Sequence, residues 1–271
     1  MPQLTLHGLD YHYIVRGAGP ALFLLHGFTG SAASWTRHVE RFAGDFTCVA
    51  VDLPGHGRTA SPADPARYAM ERVVDDLVAL CANLGIERAA WLGYSMGGRL
   101  ALGVGVLAPQ VVSALILEGA SPGLAEPTER AARVASDDVL AARLERDGLV
   151  PFIDFWERIP LFATQERLPA ERRAALRQQR LRNNPQGLAN SLRGMGQGAQ
   201  PLLRDRLGEV RVPTLLVAGE EDAKFRALAD EMAAAMPNAR AEVIPGAGHA
   251  AHFEQPAIFE DLVLGFLREH S

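Results

Sequence analysis

Apolar and polar positions alternate along residues 3–16, and continuous apolar runs follow. Period-two alternation predicts a hairpin at the edge of a sheet. Ala21-Leu22-Phe23-Leu24-Leu25 is apolar throughout and ends at His26-Gly27-Phe28-Thr29-Gly30, which predicts a strand buried on both faces and then a glycine loop. A helix is predicted over about 34–42. A strand over 46–51 leads into Asp52-Leu53-Pro54-Gly55-His56-Gly57-Arg58, which is loop chemistry. Residues 68–85 have helical apolar spacing and stop at Gly85. A strand at 89–92 runs into Ser95, a helix follows to about Ala108 and stops at Pro109, and a strand covers 113–118. This alternation predicts an α/β fold with a mostly parallel, doubly wound sheet. Such sheets bind ligands at the carboxyl ends of their strands. His26, Asp52, Ser95 and Gly119 each lie just past a predicted strand end.

The pattern then changes. Residues 124–206 contain no convincing strand and read as helices over roughly 126–146, 148–158, 169–182 and 185–196. Strands resume at 212–218 and 241–244, and an amphipathic helix spans 256–268. The expected organisation is a core in two parts, 1–123 and 207–271, with a helical lid at 124–206 inserted before the last strands. The inserted stretch carries 14 Arg against 11 Asp plus Glu, whereas the whole chain has a net charge of −5, so the lid differs in sign from the body.

Composition narrows the function classes. A chain of 271 residues that is 48 % hydrophobic can bury one large core. Its acidic balance disfavours non-specific nucleic-acid binding. No apolar run approaches the ~20 residues of a membrane span. The first residues, Met1-Pro2-Gln3-Leu4-Thr5-Leu6-His7, lack a basic and then apolar leader pattern, so a cytoplasmic location is expected. Cys48 and Cys81 sit on a strand-like and a helix-like apolar face and read as buried, reduced thiols. No Cys/His cluster has metal-binding spacing, and no motif implies a cofactor. Lys224 is the single lysine among 27 basic residues, the one candidate for lysine chemistry.

The strongest chemical signal is Gly93-Tyr94-Ser95-Met96-Gly97, set between a strand and a helix. A sharp turn there exposes the serine hydroxyl, and the glycines remove Cβ clashes. Serine chemistry needs a base, and the base needs an orienting acid. Asp222 follows the strand at 212–218 in a Gly-x-x-Asp turn, and His249 follows the next strand in Gly-x-Gly-His. Ser, then Asp, then His is the chain order expected after such an elbow. His249 is preferred as base over His252, His26, His56 and His270, and Asp222 as acid over Glu220 and Glu221. An oxyanion site needs two fixed N–H donors. By position, these are the backbone amides of Phe28 and of Met96. Arg99 lies four residues after the serine, which keeps a permanent cation on the site face of the helix.

With these residues in hand, the chain resembles the α/β-hydrolase superfamily over essentially its full length. Within it, the chain is similar to the 2-succinyl-6-hydroxy-2,4-cyclohexadiene-1-carboxylate synthases of menaquinone biosynthesis, a MenH-type family. The matching strings are Gly93-Tyr94-Ser95-Met96-Gly97-Gly98-Arg99, Glu118-Gly119-Ala120-Ser121-Pro122-Gly123-Leu124 and Glu129-Arg130-Ala131-Ala132-Arg133. Phe155-Trp156, Leu161-Phe162-Ala163, Leu181-Arg182-Asn183-Asn184 and Gly219-Glu220-Glu221-Asp222-Ala223-Lys224-Phe225 match as well. The triad motifs specify the superfamily, and the lid motifs with the arginine string specify the narrower family.

The resemblance implies a lyase that eliminates pyruvate from a small tricarboxylate without a metal. It implies Arg99, Arg133 and Arg182 as substrate arginines, with Tyr94 and Trp156 lining the pocket. Arg130 and Arg180 stand close enough in sequence to replace Arg133 and Arg182. Guanidinium pairs bidentately with carboxylate, so arginines suit a polyanionic substrate. The competing readings are a serine carboxylesterase or C–C bond hydrolase of the same fold, which an apolar pocket without arginines would favour, and a non-catalytic binding protein.

Overall fold

The computed structural model describes residues 3–270. Strands β1 (Gln3–Leu6), β2 (Leu9–Arg16), β3 (Ala21–Leu25), β4 (Thr47–Val51), β5 (Ala89–Tyr94), β6 (Val112–Glu118), β7 (Thr214–Gly219) and β8 (Ala239–Ile244) form one sheet. Their order is β1-β2-β4-β3-β5-β6-β7-β8. β1 and β2 form the antiparallel edge hairpin, β2 joins β4 antiparallel, and every other pairing is parallel. The chain thus has the α/β-hydrolase architecture.

β3 shows why a continuous apolar run suits this sheet. Leu22 and Leu24 enter the core on one face, and Phe23 and Leu25 enter the core on the other. All four are fully buried. At about 1.5–3 kcal/mol for each buried side chain, such two-sided strands supply much of the folding drive. Helices cover both faces: α1 (Thr36–Phe42), α2 (Met70–Asn83) and α3 (Met96–Leu107) in the first half of the chain, and α8 (Ala223–Ala235), α9 (Ala251–Glu254) and α10 (Pro256–Glu269) in the second. Apolar spacing did not reveal α8, because it buries only Ala229 and Met232.

Between β6 and β7 the chain inserts α4 (Pro127–Asp147), α5 (Leu149–Trp156), α6 (Ala170–Arg180) and α7 (Pro185–Met195). They share a small core of their own, including Leu144, Phe152, Ile153 and Leu188, and Phe28 and Trp156 pack against it. The ends of the insertion leave from adjacent strands, since Leu115 pairs with Thr214 and Leu117 with Leu216. α6 stops at Arg180, two residues short of the predicted end. Beyond it the chain makes a tight turn in which Arg182 N donates to Gln179 O and Asn183 N to Arg180 O. The Asn183 amide pins this turn to the sheet edge, donating to Thr29 O at 2.7 Å and accepting from Gly57 N at 2.9 Å. Among the described residues, no helix is long and apolar enough to cross a membrane.

Candidate active site

The loops after β3, β5, β6, β7 and β8 meet at the carboxyl edge of the sheet. Ser95 follows β5 with φ 51° and ψ −106°, a left-handed conformation that costs a non-glycine residue about 1–3 kcal/mol. The turn is held from both sides: Ser95 N donates to Glu118 O at 2.7 Å, and Arg99 N donates to Ser95 O at 2.9 Å. It also demands glycine at two positions. A Cβ on Gly93 would strike the backbone of Gly97, and a Cβ on Gly97 would strike the Leu25 carbonyl.

His249 connects the serine to Asp222. Its Nδ1 donates to Asp222 Oδ2 at 2.7 Å, and its Nε2 accepts from the Ser95 hydroxyl at 3.0 Å. An ionised carboxylate only accepts, which fixes this tautomer. The ring lies against Phe225 and Tyr94, at 4.5 and 5.4 Å between centroids. Gly119, at φ +56°, lies directly beneath it, and a Cβ there would come within 2.8 Å of the imidazole. Asp222 is held in turn as the cap of α8, where it accepts from Phe225 N.

The competing residues are engaged elsewhere. Glu220 accepts from Gly246 N at 2.8 Å, and Glu221 pairs with Arg167 at 2.6 Å. His252 pairs with Glu118 at 2.9 Å, and His270 Nδ1 donates to the Phe266 carbonyl. His26 is fully enclosed and holds two loops together, with Nδ1 donating to Gly27 O and Nε2 accepting from Leu53 N. Burial pushes its pKa well down, with His56 adding to the effect. Burial likewise pushes His56 down to about 4. Both rings are therefore neutral supports for the Phe28 loop. Asp52 ties the neighbouring loop, accepting from Ala32 N, Arg58 N and His12 Nδ1.

A cavity of about 240 Å³ opens above Ser95 and His249. Phe28, Tyr94, Met96, Arg99, Arg133 and Trp156 all line it. Met96 is the first residue of α3, so its amide has no acceptor within the helix. The Phe28 ring packs edge-on against Trp156 at 5.3 Å, which ties the loop after β3 to the inserted helices. Trp156 Nε1 is buried and has no hydrogen-bond partner among the described residues. Burial raises the Tyr94 hydroxyl well above its ordinary pKa, so it stays protonated.

Arg99 reaches across to the insertion and donates to Met195 O at 2.9 Å and Gln200 Oε1 at 3.0 Å. Burial, and then the neighbouring Arg133, push its pKa down to about 10. Arg133 donates to Asp137 Oδ1 at 2.9 Å and Gln197 Oε1 at 3.2 Å. Arg130 instead binds the carbonyls of Gly198 and Ala199.

Arg182 does not join this group. It is exposed and lines an outer groove with Arg37 and Arg172, because α6 ends before it and the turn swings it outward. Arg180 is the inward arginine. It is buried, pairs with Glu157 at 3.3 Å, and lies 5.2 Å from the centre of the Phe162 ring. It borders a void of about 70 Å³ that shares Phe28, Tyr94 and Phe162 with the main cavity. The cavity is also lined by Ser121, Phe162, Ser191, Gln197 and Lys224, none of which was read as a site residue from sequence. Ser121, Phe162 and Lys224 fall within the family strings, whereas Ser191 and Gln197 carried no signal.

The chain matches the family of alpha/beta hydrolase fold proteins over residues 20–256. It is 45 % identical over 259 residues to a Bacillus subtilis protein named "Putative 2-succinyl-6-hydroxy-2,4-cyclohexadiene-1-carboxylate synthase", covering 94 % of each chain. It is 37 % identical over 257 residues to the 2-succinyl-6-hydroxy-2,4-cyclohexadiene-1-carboxylate synthase of Salmonella paratyphi C, covering 95 % of this chain and 97 % of that one. Its fold superimposes on MenH from S. aureus with a TM-score of 0.92 at 36 % identity, covering 96 % of this chain and 98 % of that one. A thermophilic esterase from Thermogutta terrifontis is also similar, with a TM-score of 0.88 at 27 % identity over 100 % of this chain and 99 % of that one. The chain therefore belongs to the α/β-hydrolase fold family and, within it, to the 2-succinyl-6-hydroxy-2,4-cyclohexadiene-1-carboxylate synthases.

Proposed function

We propose that the protein eliminates pyruvate from 2-succinyl-5-enolpyruvyl-6-hydroxy-3-cyclohexene-1-carboxylate, giving 2-succinyl-6-hydroxy-2,4-cyclohexadiene-1-carboxylate, in the cytoplasm. The observation that carries this reading is Arg99: a half-buried guanidinium with no ion pair among the described residues, four residues from the serine, facing the cavity. Hydrolysis of a neutral ester gives that charge nothing to pair with, whereas a substrate with three carboxylates supplies partners for it.

His249, oriented by Asp222, takes the proton of Ser95, and the serine oxygen removes a proton from the substrate ring. The electron pair moves toward the succinyl carbonyl, whose oxygen gains negative charge. The amides of Phe28 and Met96 hold that oxygen, and the start of α3 adds its positive dipole end. The ring carbon–oxygen bond then breaks and pyruvate leaves as its enolate. The proton held by His249 is returned when the enolate takes it up at its methylene carbon and becomes pyruvate. No acyl-enzyme forms.

Arg99 and Arg133 hold substrate carboxylates, with Arg180 in the place first assigned to Arg182. Tyr94 and the Trp156 N–H line the ring-binding region. Residues 124–206 act as the lid. The test is pyruvate release from the enolpyruvyl precursor, run beside ester turnover. Pyruvate formation that depends on Ser95 and Arg99 is expected; efficient ester hydrolysis with no pyruvate would replace this reading with the carboxylesterase one.

A further inference from the structure

The cavity carries a cation to which the mechanism above gives no role. Lys224 lines its wall next to Phe225 and His249. Its ammonium lies 5.8 Å from the centre of the Phe225 ring, and among the described residues it has no ion-pair partner. Its position is not explained by helix stability. It is in the first turn of α8, where the helix dipole disfavours a positive charge. Every other basic residue of the 27 is an arginine, so a compact point charge stands here alone in the chain.

The placement of the cations has a geometric logic. Ser95, His249 and Asp222 form a line of two hydrogen bonds. Arg99 follows Ser95 by four residues at one end of that line, and Lys224 follows Asp222 by two residues at the other. The third cavity cation, Arg133, is already matched by Asp137. Among the described residues, Arg99 donates to two neutral acceptors, and Lys224 forms no ion pair. Arg99, half-buried, and Lys224, exposed at the cavity wall, therefore follow opposite members of the proton relay in the chain, and neither forms an ion pair among the described residues.

We propose that Lys224 binds a substrate carboxylate at the Asp222 end of the cavity, opposite Arg99. This makes the site selective for a polycarboxylate with acidic groups on both sides of the reacting ring. The proposal rests on the polyanion reading of the site. Lys224 is a specificity-determining residue: its contact forms in the ground state and persists through the reaction, so its removal acts on binding.

The test compares wild type with Lys224→Met and Lys224→Arg. In pyruvate release, Lys224→Met is expected to raise KM about tenfold with kcat changed less than about twofold, and Lys224→Arg to recover most of the loss. Raising the salt concentration should weaken wild type more than Lys224→Met. A second arm measures citrate binding by calorimetry, which requires no turnover, and thermal melts verify folding. Citrate should bind several-fold more weakly to folded Lys224→Met than to wild type. Unchanged KM and unchanged citrate affinity in a folded Lys224→Met protein would overturn the proposal. If wild type releases no pyruvate while Lys224→Met still weakens citrate, the reaction assignment falls and the carboxylate site stands.

Discussion

Arg99 and Arg133 face one cavity, yet of the two only Arg133 forms an ion pair among the described residues, with Asp137 at 2.9 Å. Arg99 is held by a backbone carbonyl and a glutamine oxygen. These neutral acceptors fix its direction without cancelling its charge. Replacing Arg99 by Ala should lower kcat/KM for the tricarboxylate by about 2 kcal/mol, or ~30-fold, the scale of one charge-assisted hydrogen bond. Steady-state kinetics check this, and a silent variant would remove Arg99 from the site.

Arg180 and Arg182 offer a sharper contrast. Arg180 is buried beside Phe162 and Glu157, while Arg182 is exposed in an outer groove. Arg180→Ala is expected to cost ~10-fold or more in kcat/KM and to lower stability, because it leaves Glu157 with one cation fewer. Arg182→Ala should be within about 0.5 kcal/mol of wild type in stability and near wild type in rate. Equal effects of the two substitutions in parallel assays would refute the inward placement of Arg180.

The nucleophile turn stores strain that can be released. Ser95 has φ 51°, a conformation glycine adopts freely. Ser95→Gly should abolish turnover and raise stability by roughly 1 kcal/mol, the relief of strain less the added freedom of the unfolded chain. Ser95→Ala should be inactive without that gain. Denaturant melts of the two variants distinguish them.

Stability should fall on acidification through the buried histidines. Burial holds His56 at about 4, against an ordinary value of 6.5. In the folded state its pKa is depressed, so the unfolded chain takes up the proton first. The stability tied to the neutral ring is complete above pH 6.5 and is lost as pH falls toward 4. At ~1.4 kcal/mol per unit, His56 alone contributes about 3 kcal/mol across that window. His26 shifts in the same direction. His56→Gln should flatten the dependence by about one proton. Urea melts at a series of pH values measure the slope.

Much of this was legible because it is local. Two-sided apolar runs marked the strands, and each candidate catalytic group sits where a strand stops. Ser95, Asp222 and His249 could be placed by chain order alone, since the turns that carry them follow strands. What escaped depended on where a helix ends or which face is wet. Arg182 matched a family string, but the side on which it emerges is set by the end of α6 at Arg180 and the Asn183 clamp. Helix α8 buries too few apolar side chains to show a period. Gln197 and Gln200 act through contacts with Arg133 and Arg99 that lie 64 and 101 residues away in the chain.

The insertion between β6 and β7 has a consequence for inheritance. Its two ends leave from neighbouring strands, and Ser95, Asp222 and His249 all lie outside it. A different helical cap can therefore replace it without moving any group of the proton relay. Such an exchange would remove Arg133, Trp156 and Arg180 together and keep Arg99 and Lys224. Part of the cavity wall is thus encoded in a stretch separable from the proton relay, and a lineage can reshape that part by rewriting a single continuous segment while Arg99 and Lys224 stay with the core.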